Sequence, residues 1–325
     1  MLRKTTTFDY KVLVRLFVLH KNIVKQKILK YSILSLTVIV VILFALCEGI
    51  LHYALMPEDN NRPTKAWVDS VRTCRMLRDT FIVNNDGDSL HAWYVRAKVP
   101  IEKTAILIHG YGDDGLWMGH IASIYDRQLH YNILMPDLYS FGKSQGNWVQ
   151  MGWKDRLDVL LWCKIAEQMF GAKDIVLHGV SMGAATVMCV SGEPLPSSVK
   201  CIIEDCGYTS VWDEFCNQLD EQFGLPPFPL LYLTSALCKV QLGWSFGEAS
   251  PLSQVAKCKI PILFIHGGND TYVRTEMVHR LYAAKKGQKA LWIAPGSGHA
   301  RSIDDHPSEY AQQVETFCDK YMPIN

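Results

Sequence analysis

Two five-residue stretches share the pattern Gly-x-Ser-x-Gly: Gly142-Lys143-Ser144-Gln145-Gly146 and Gly179-Val180-Ser181-Met182-Gly183. At a strand–turn–helix corner this pattern lifts a serine hydroxyl to where it can attack a carbonyl carbon, with glycines tolerating the crowded backbone on either side. The context separates the two. Ser181 follows "DIVLHGV", which reads as a strand, and precedes the helix-forming "MGAATVMCV". Ser144 follows "LYSFGK" and precedes "GNW", with no helix at its heel. Gly142-Lys143-Ser144 also fails as a phosphate loop, because the glycine required five residues earlier is Asp137. Ser181 is the expected nucleophile and Ser144 an ordinary turn serine.

The elements that must position Ser181 follow from hydropathy. "FIVNNDGDSLHAWYV" (81–95) reads as a hairpin turning at Asp86-Gly87. Short unbroken apolar runs then recur: "AILIHG" (105–110), "NILMPDL" (132–138), "DIVLHGV" (174–180), "VKCIIEDC" (199–206), "IPILFIHGG" (260–268) and "KALWIAPG" (289–296). Continuous rather than alternating runs suit strands buried on both faces of a parallel sheet. Helix-length segments such as 151–170 and 182–191 separate them, so the expected class is α/β, with eight strands and helices on both faces. Residues 208–252 break the alternation. A structureless loop of that length is improbable inside a compact domain, and the segment is expected to form a small helical cap.

Taken together, residues 80–322 resemble the α/β-hydrolase fold. They are most similar to bacterial, often membrane-anchored hydrolases of the serine aminopeptidase-like and FrsA-like branches. The pieces that carry the resemblance are "LIHGYGDD", "MPDLYSFGKSQG", "HGVSMGAA", "SPLSQVAKCKIPILFIHGGNDTYV" and "PGSGHARS". "DLYSFGKSQG" differs from the family's usual Asp-x-Arg-Gly-x-Gly-x-Ser loop in lacking the arginine.

The resemblance implies a serine activated by a histidine that a carboxylate orients, in the chain order serine, acid, histidine. His299, in the glycine-rich loop after the last strand, is the expected base. His109 and His178 precede the serine, His266 precedes the acid, and His306 falls in the start of the last helix. Asp270, after the seventh strand, is the expected acid, with Asp205 at the end of the sixth as its rival. The oxyanion requires donors aimed at its developing charge. The backbone N–H groups of Met182 and of Tyr111, in "HGYG", are the expected pair.

The chain has 325 residues and a formal net charge of +1 that hides an asymmetry. Residues 1–30 hold eight Lys/Arg against Asp9 alone, leaving 25 bases and 31 acids in the remainder. A mildly acidic body gives no reason to expect nucleic acid as a partner. The basic arm precedes "YSILSLTVIVVILFALCEGILHYALM" (31–56), interrupted only by Glu48 and His52, which is long enough to cross a membrane. A cleavable signal is disfavoured by the long basic region and the absence of an Ala-x-Ala site. The expected plan is a basic arm 1–30, a transmembrane helix 31–56, a tether 57–66 and a hydrolase domain 67–325. The positive-inside rule predicts a cytoplasmic arm and an extracytoplasmic body. The ten cysteines, without paired or zinc-site spacing, lean towards a reducing compartment instead.

The expected activity is hydrolysis of a carboxylic ester through an acyl-enzyme on Ser181, with no metal and no cofactor. The cap aromatics Trp212, Phe215, Phe223, Phe228, Trp244 and Phe246 are candidates for an acyl pocket or for simple packing. A peptidase or amidase is the alternative, with Glu204, Asp205 and Glu214 as candidates for an amine subsite. An inactive, membrane-tethered binding protein is the third.

Overall fold

The computed structural model describes residues 10–57, 65–74 and 76–323. Residues 1–9 of the basic arm and 58–64 of the expected tether therefore lie outside the described residues. The chain forms two compact units, 1–50 and 51–325. The first is helical throughout its described part, belonging to helix α1 (Tyr10–Leu55). Among the described residues this is the one helix long and apolar enough to cross a membrane.

The second unit begins with the last turn of α1, whose Leu51 and Leu55 are fully buried in the core. It continues through α2 (Ala66–Thr73), β1 (Arg78–Val83), β2 (Ser89–Val95), β3 (Lys103–Ile108), a 3-10 turn (Gly115–Met118), α3 (Gly119–Arg127) and β4 (Asn132–Pro136). Then come α4 (Asp155–Phe170), β5 (Asp174–Val180), α5 (Met182–Val190), β6 (Val199–Asp205), α6 (Val211–Phe223) and α7 (Leu230–Leu242). It closes with α8 (Pro251–Val255), β7 (Ile262–Gly267), α9 (Glu276–Ala284), β8 (Lys289–Ala294), α10 (Ser302–Asp305) and α11 (Pro307–Tyr321).

The eight strands form one sheet in the order β1-β2-β4-β3-β5-β6-β7-β8. The β1–β2 and β2–β4 pairs are antiparallel and every later pair is parallel. The unbroken apolar runs have the cause expected of them. In β3, Ala105 and Leu107 face one core while Ile106 and Ile108 face the other. Helices α2, α3 and α11 cover the first face through Val68, Ile121, Tyr125 and Val314. Helices α4, α5 and α9 cover the second through Val159, Trp162, Val187, Met188 and Leu281. The fold is of the expected α/β class, with α6 and α7 inserted between β6 and β7.

The last turn of α1 is fastened to loops of the body. Val149 N–H donates to Leu55 O (2.7 Å), Tyr111 Oη–H donates to Met56 O (2.9 Å), and the His52 and Trp148 rings lie 4.8 Å apart. The region between the apolar run and the body thus begins as a packed helical turn, and α2 follows with its apolar side against α3.

Candidate active site

Strand β5 ends at Val180 and α5 begins at Met182, leaving Ser181 alone in the turn with φ 55° and ψ −117°. A non-glycine residue there costs about 1–3 kcal/mol and persists only where its surroundings over-determine it. They do so here. Ser181 N–H donates to Asp205 O at the end of β6 (2.8 Å), and Ala185 N–H closes the first helical turn on Ser181 O (3.0 Å). The flanking glycines explain themselves by close approach. A Cβ on Gly179 would lie 2.1 Å from Gly183 O, and one on Gly183 would lie 2.1 Å from Ile108 O.

The hydroxyl raised by this elbow meets a base. Ser181 Oγ lies 2.8 Å from His299 Nε2, and His299 Nδ1 lies 2.8 Å from Asp270 Oδ2. A carboxylate only accepts, so Nδ1 carries the proton and Nε2 is left to accept from the serine hydroxyl. Asp270 is itself fixed, because its Oδ1 accepts from the N–H groups of Tyr272 and Val273, both at 3.0 Å. Burial pushes its pKa up, but hydrogen bonds from His266 and His299 outweigh this and hold it below the ordinary carboxylate value.

His109, His178 and His306 have structural partners. His109 Nδ1 lies 2.7 Å from Gly110 O, and its Nε2 accepts from Leu138 N–H at 2.9 Å. His178 bridges the hydroxyls of Tyr125 (3.0 Å) and Tyr310 (2.9 Å), and burial lowers its pKa to about 3. His306 Nε2 is bound to Pro295 O at 2.8 Å. The rival acid Asp205 is buried beside Tyr310, whose hydroxyl bonds its carboxylate, and burial raises its pKa to about 6.

Ser144 occupies a different kind of site. Its hydroxyl donates to Asp137 O (2.7 Å) and accepts from His91 N–H (2.9 Å), pinning loop 137–146 to β2.

The two expected oxyanion donors flank the elbow. Met182 is the first residue of α5, at a helix N-terminus where negative charge is stabilised. The "HGYG" loop runs beside the serine: a Cβ on Gly110 would sit 3.5 Å from Ser181 Cβ. The Tyr111 side chain turns away from the site, held by Met56 O and packed at 6.0 Å against the Phe141 ring.

Four further residues take part in the site. His266 Nε2 donates to Val273 O (2.9 Å) and lies 3.4 Å from Asp270 Oδ2, placing a second imidazole behind the acid. Its signal is the four-residue spacing from His266, near the end of β7, to Asp270 in the loop that follows. Tyr272 lays its ring 4.9 Å from that of His299. Asn217 and Gln218 of α6 donate to Tyr272 O at 2.8 and 3.0 Å, so the cap helix is tied to the loop that borders the base.

The carboxylates considered for an amine subsite are sealed off. Glu204, Asp205 and Glu214 are all buried, and burial raises the pKa of Glu204 and of Glu214 to about 8. The cap aromatics divide as well. Trp244 and Phe246 pack into the core, the latter 4.8 Å from the Phe215 ring, whereas Phe223 and Phe228 face outward.

Among the described residues, Cys206, Asp270 and His299 are the one group whose metal-ligating atoms converge, all within 4.8 Å of one another. The fit is poor. Asp270 and His299 already bond each other, and burial pushes the Cys206 thiol well above its usual range, against the thiolate a metal requires.

A family model described as "Alpha/beta hydrolase family" matches residues 105–313. An uncharacterized protein of Bacillus subtilis, YqkD, is 30% identical over 192 residues, or 59% of this chain, and the chain spans 63% of that relative's length. The fold is similar to that of the Pyrococcus furiosus esterase Pf2001, with a TM-score of 0.66 at 22% identity over 82% of this chain and 97% of that one. It is also similar to an acylaminoacyl peptidase of Pyrococcus horikoshii, with a TM-score of 0.57 at 15% identity over 75% of this chain and 41% of that one.

Proposed function

This chain belongs to the alpha/beta hydrolase family and is a hydrolase, and on that premise we propose that it cleaves carboxylic esters through an acyl-enzyme on Ser181. In this reading Ser181 Oγ attacks the acyl carbonyl while His299 Nε2 takes its proton. The ring, held by Asp270 through Nδ1–H, then returns that proton to the leaving alcohol. The N–H groups of Met182 and Tyr111 receive the oxyanion. A water, deprotonated by the same imidazole, releases the acid and restores the serine. No metal or organic cofactor enters these steps.

The observation that supports this most is the unbroken pair of 2.8 Å links from Ser181 through His299 to Asp270, built on a strained serine. Preference for esters over substrates with a free N-terminal amine is supported by the burial of Glu204, Asp205 and Glu214, which keeps all three from contact with an ammonium, and by the pKa values of Glu204 and Glu214, raised to about 8.

The proposal includes a place in the cell. Helix α1 anchors the enzyme in a membrane as a single pass. The eight Lys/Arg of residues 1–30 favour a cytoplasmic N-terminus and an extracytoplasmic body. Nucleic acid has no part in it.

Turnover of p-nitrophenyl esters and of aminoacyl amides by the full chain tests the substrate class. Ester hydrolysis that exceeds amide hydrolysis is expected, and cleavage of amides alone would overturn the ester assignment. Protease added to spheroplasts should digest the body and spare an N-terminal tag. A body that resists until the membrane is opened reverses the orientation.

A further inference from the structure

The cap carries an apolar face that the hydrolytic site does not use. Phe223, Leu225, Phe228 and Tyr232 are 56%, 41%, 74% and 56% exposed, spanning the end of α6, the following loop and the start of α7. Soluble surfaces expose single apolar side chains freely, but four within one ten-residue stretch is an unusual concentration. The Phe228 and Tyr232 rings lie 6.0 Å apart, and Phe223 lies 6.0 Å from the ring of Tyr53, whose hydroxyl donates to Gln222 Oε1 at 2.8 Å.

Tyr53 ties this face to a known place along the chain. The apolar run from Tyr31 to Ile50 is long enough, at ~1.5 Å per residue, to cross ~30 Å of hydrocarbon. Tyr53 comes three residues later, roughly 5 Å beyond the end of that run, at the depth of the lipid headgroups where tyrosines settle. Any side chain in contact with Tyr53 lies at about that depth.

The middle of α6 borders the site, through the bonds from Asn217 and Gln218 to the loop of Tyr272 beside His299. The ionisable groups on α6 are acidic, and Arg274 and Arg280 from neighbouring elements pair with Glu221 and Asp213 at 2.8 and 3.0 Å. Attraction to this face would therefore come from apolar burial and not from anionic headgroups.

We propose that Tyr53, Phe223, Leu225, Phe228 and Tyr232 form a docking surface that rests in the interfacial layer of the bilayer crossed by α1, and that the enzyme draws a long-chain acyl ester from the lipid phase. The second half rests on the ester-hydrolase reading and the first on the membrane anchor.

Two measurements on the full chain in phosphatidylcholine vesicles separate them. Phe228→Trp should add emission that brominated phosphatidylcholine quenches. Val99→Trp, exposed in the loop that enters β3, at the end of the sheet opposite the one from which β6 leads into the cap, should add emission that it does not quench. Equal quenching of the two would overturn the docking surface whether or not the protein hydrolyses anything. Phe223→Ser combined with Phe228→Ser should lower turnover of a vesicle-borne long-chain p-nitrophenyl ester about tenfold or more, and leave the water-soluble acetate within about twofold. Equal effects on both esters would overturn delivery from the lipid. Absence of turnover of either ester by the parent protein would sink the hydrolase reading alone, with the quenching result still deciding the surface.

Discussion

The elbow around Ser181 and the loop around Ser144 carry the same five-residue spelling and do opposite things with it. At the elbow the backbone is over-determined by its neighbours and the hydroxyl is left facing an imidazole. In the loop the hydroxyl is consumed, donating to one backbone group and accepting from another. The carboxylates beneath the two regions differ in the same sense. Asp137 accepts from Gly115 N–H, Lys143 N–H and His91 Nδ1 at 2.7–2.9 Å, and so organises its loop. Glu204, near the elbow, accepts from Gly207 N–H at 3.0 Å while its other oxygen is buried without a hydrogen bond. A carboxylate with every oxygen engaged rigidifies its loop, whereas one buried with an oxygen unpaired is costly to keep charged.

The comparison breaks most sharply at the acid. Asp270→Asn should leave the fold intact and lower kcat by roughly 10⁴-fold, because an amide cannot hold the imidazole in the tautomer that accepts from Ser181. Steady-state kinetics on a p-nitrophenyl ester reads this directly. Near-normal kcat in Asp270→Asn with a collapse in Asp205→Asn would move the acid to β6.

Glu204→Gln sharpens the contrast between the two carboxylates. Burial raises the Glu204 pKa from 4.5 to about 8, so the folded state retains a proton that the unfolded chain releases. A raised carboxyl costs stability as pH climbs from about 4.5, and the cost is complete near 8. The Gln variant should therefore match the parent near pH 4 and exceed it by up to a few kcal/mol near pH 8. Thermal unfolding across that range checks it, and a pH-independent difference would contradict the cause given.

The smallest effect belongs to the loop. Ser144→Ala deletes two hydrogen bonds and should lower stability by about 1–3 kcal/mol. Ester turnover at a temperature below the transition should stay close to that of the parent.

Much of this was legible in the sequence because it is local. Unbroken apolar runs locate the strands, as 174–180 locates β5, and the turn at Asp86-Gly87 joins β1 to β2 as expected. Chain order pointed to Asp270 and His299. What was not legible depends on contacts distant in sequence. His266 and Asp270 are four residues apart, but the burial that makes them partners comes from the whole sheet. The seating of Leu51 and Leu55 in the core could not be read from a run that looks uniformly apolar. The short helix α2 carries little sequence signal, because its eight residues hold only three buried side chains. Composition also treats all cap aromatics alike, whereas the fold buries Trp244 and Phe246 and turns Phe223 and Phe228 outward.

A fluorophosphonate probe followed by peptide mass spectrometry tells the two identically spelled serines apart most directly. The parent and Ser144→Ala should each gain one phosphonyl group on the peptide containing Ser181, and Ser181→Ala should gain none. Labelling that persists in Ser181→Ala, or that vanishes in a folded Ser144→Ala, would contradict the account.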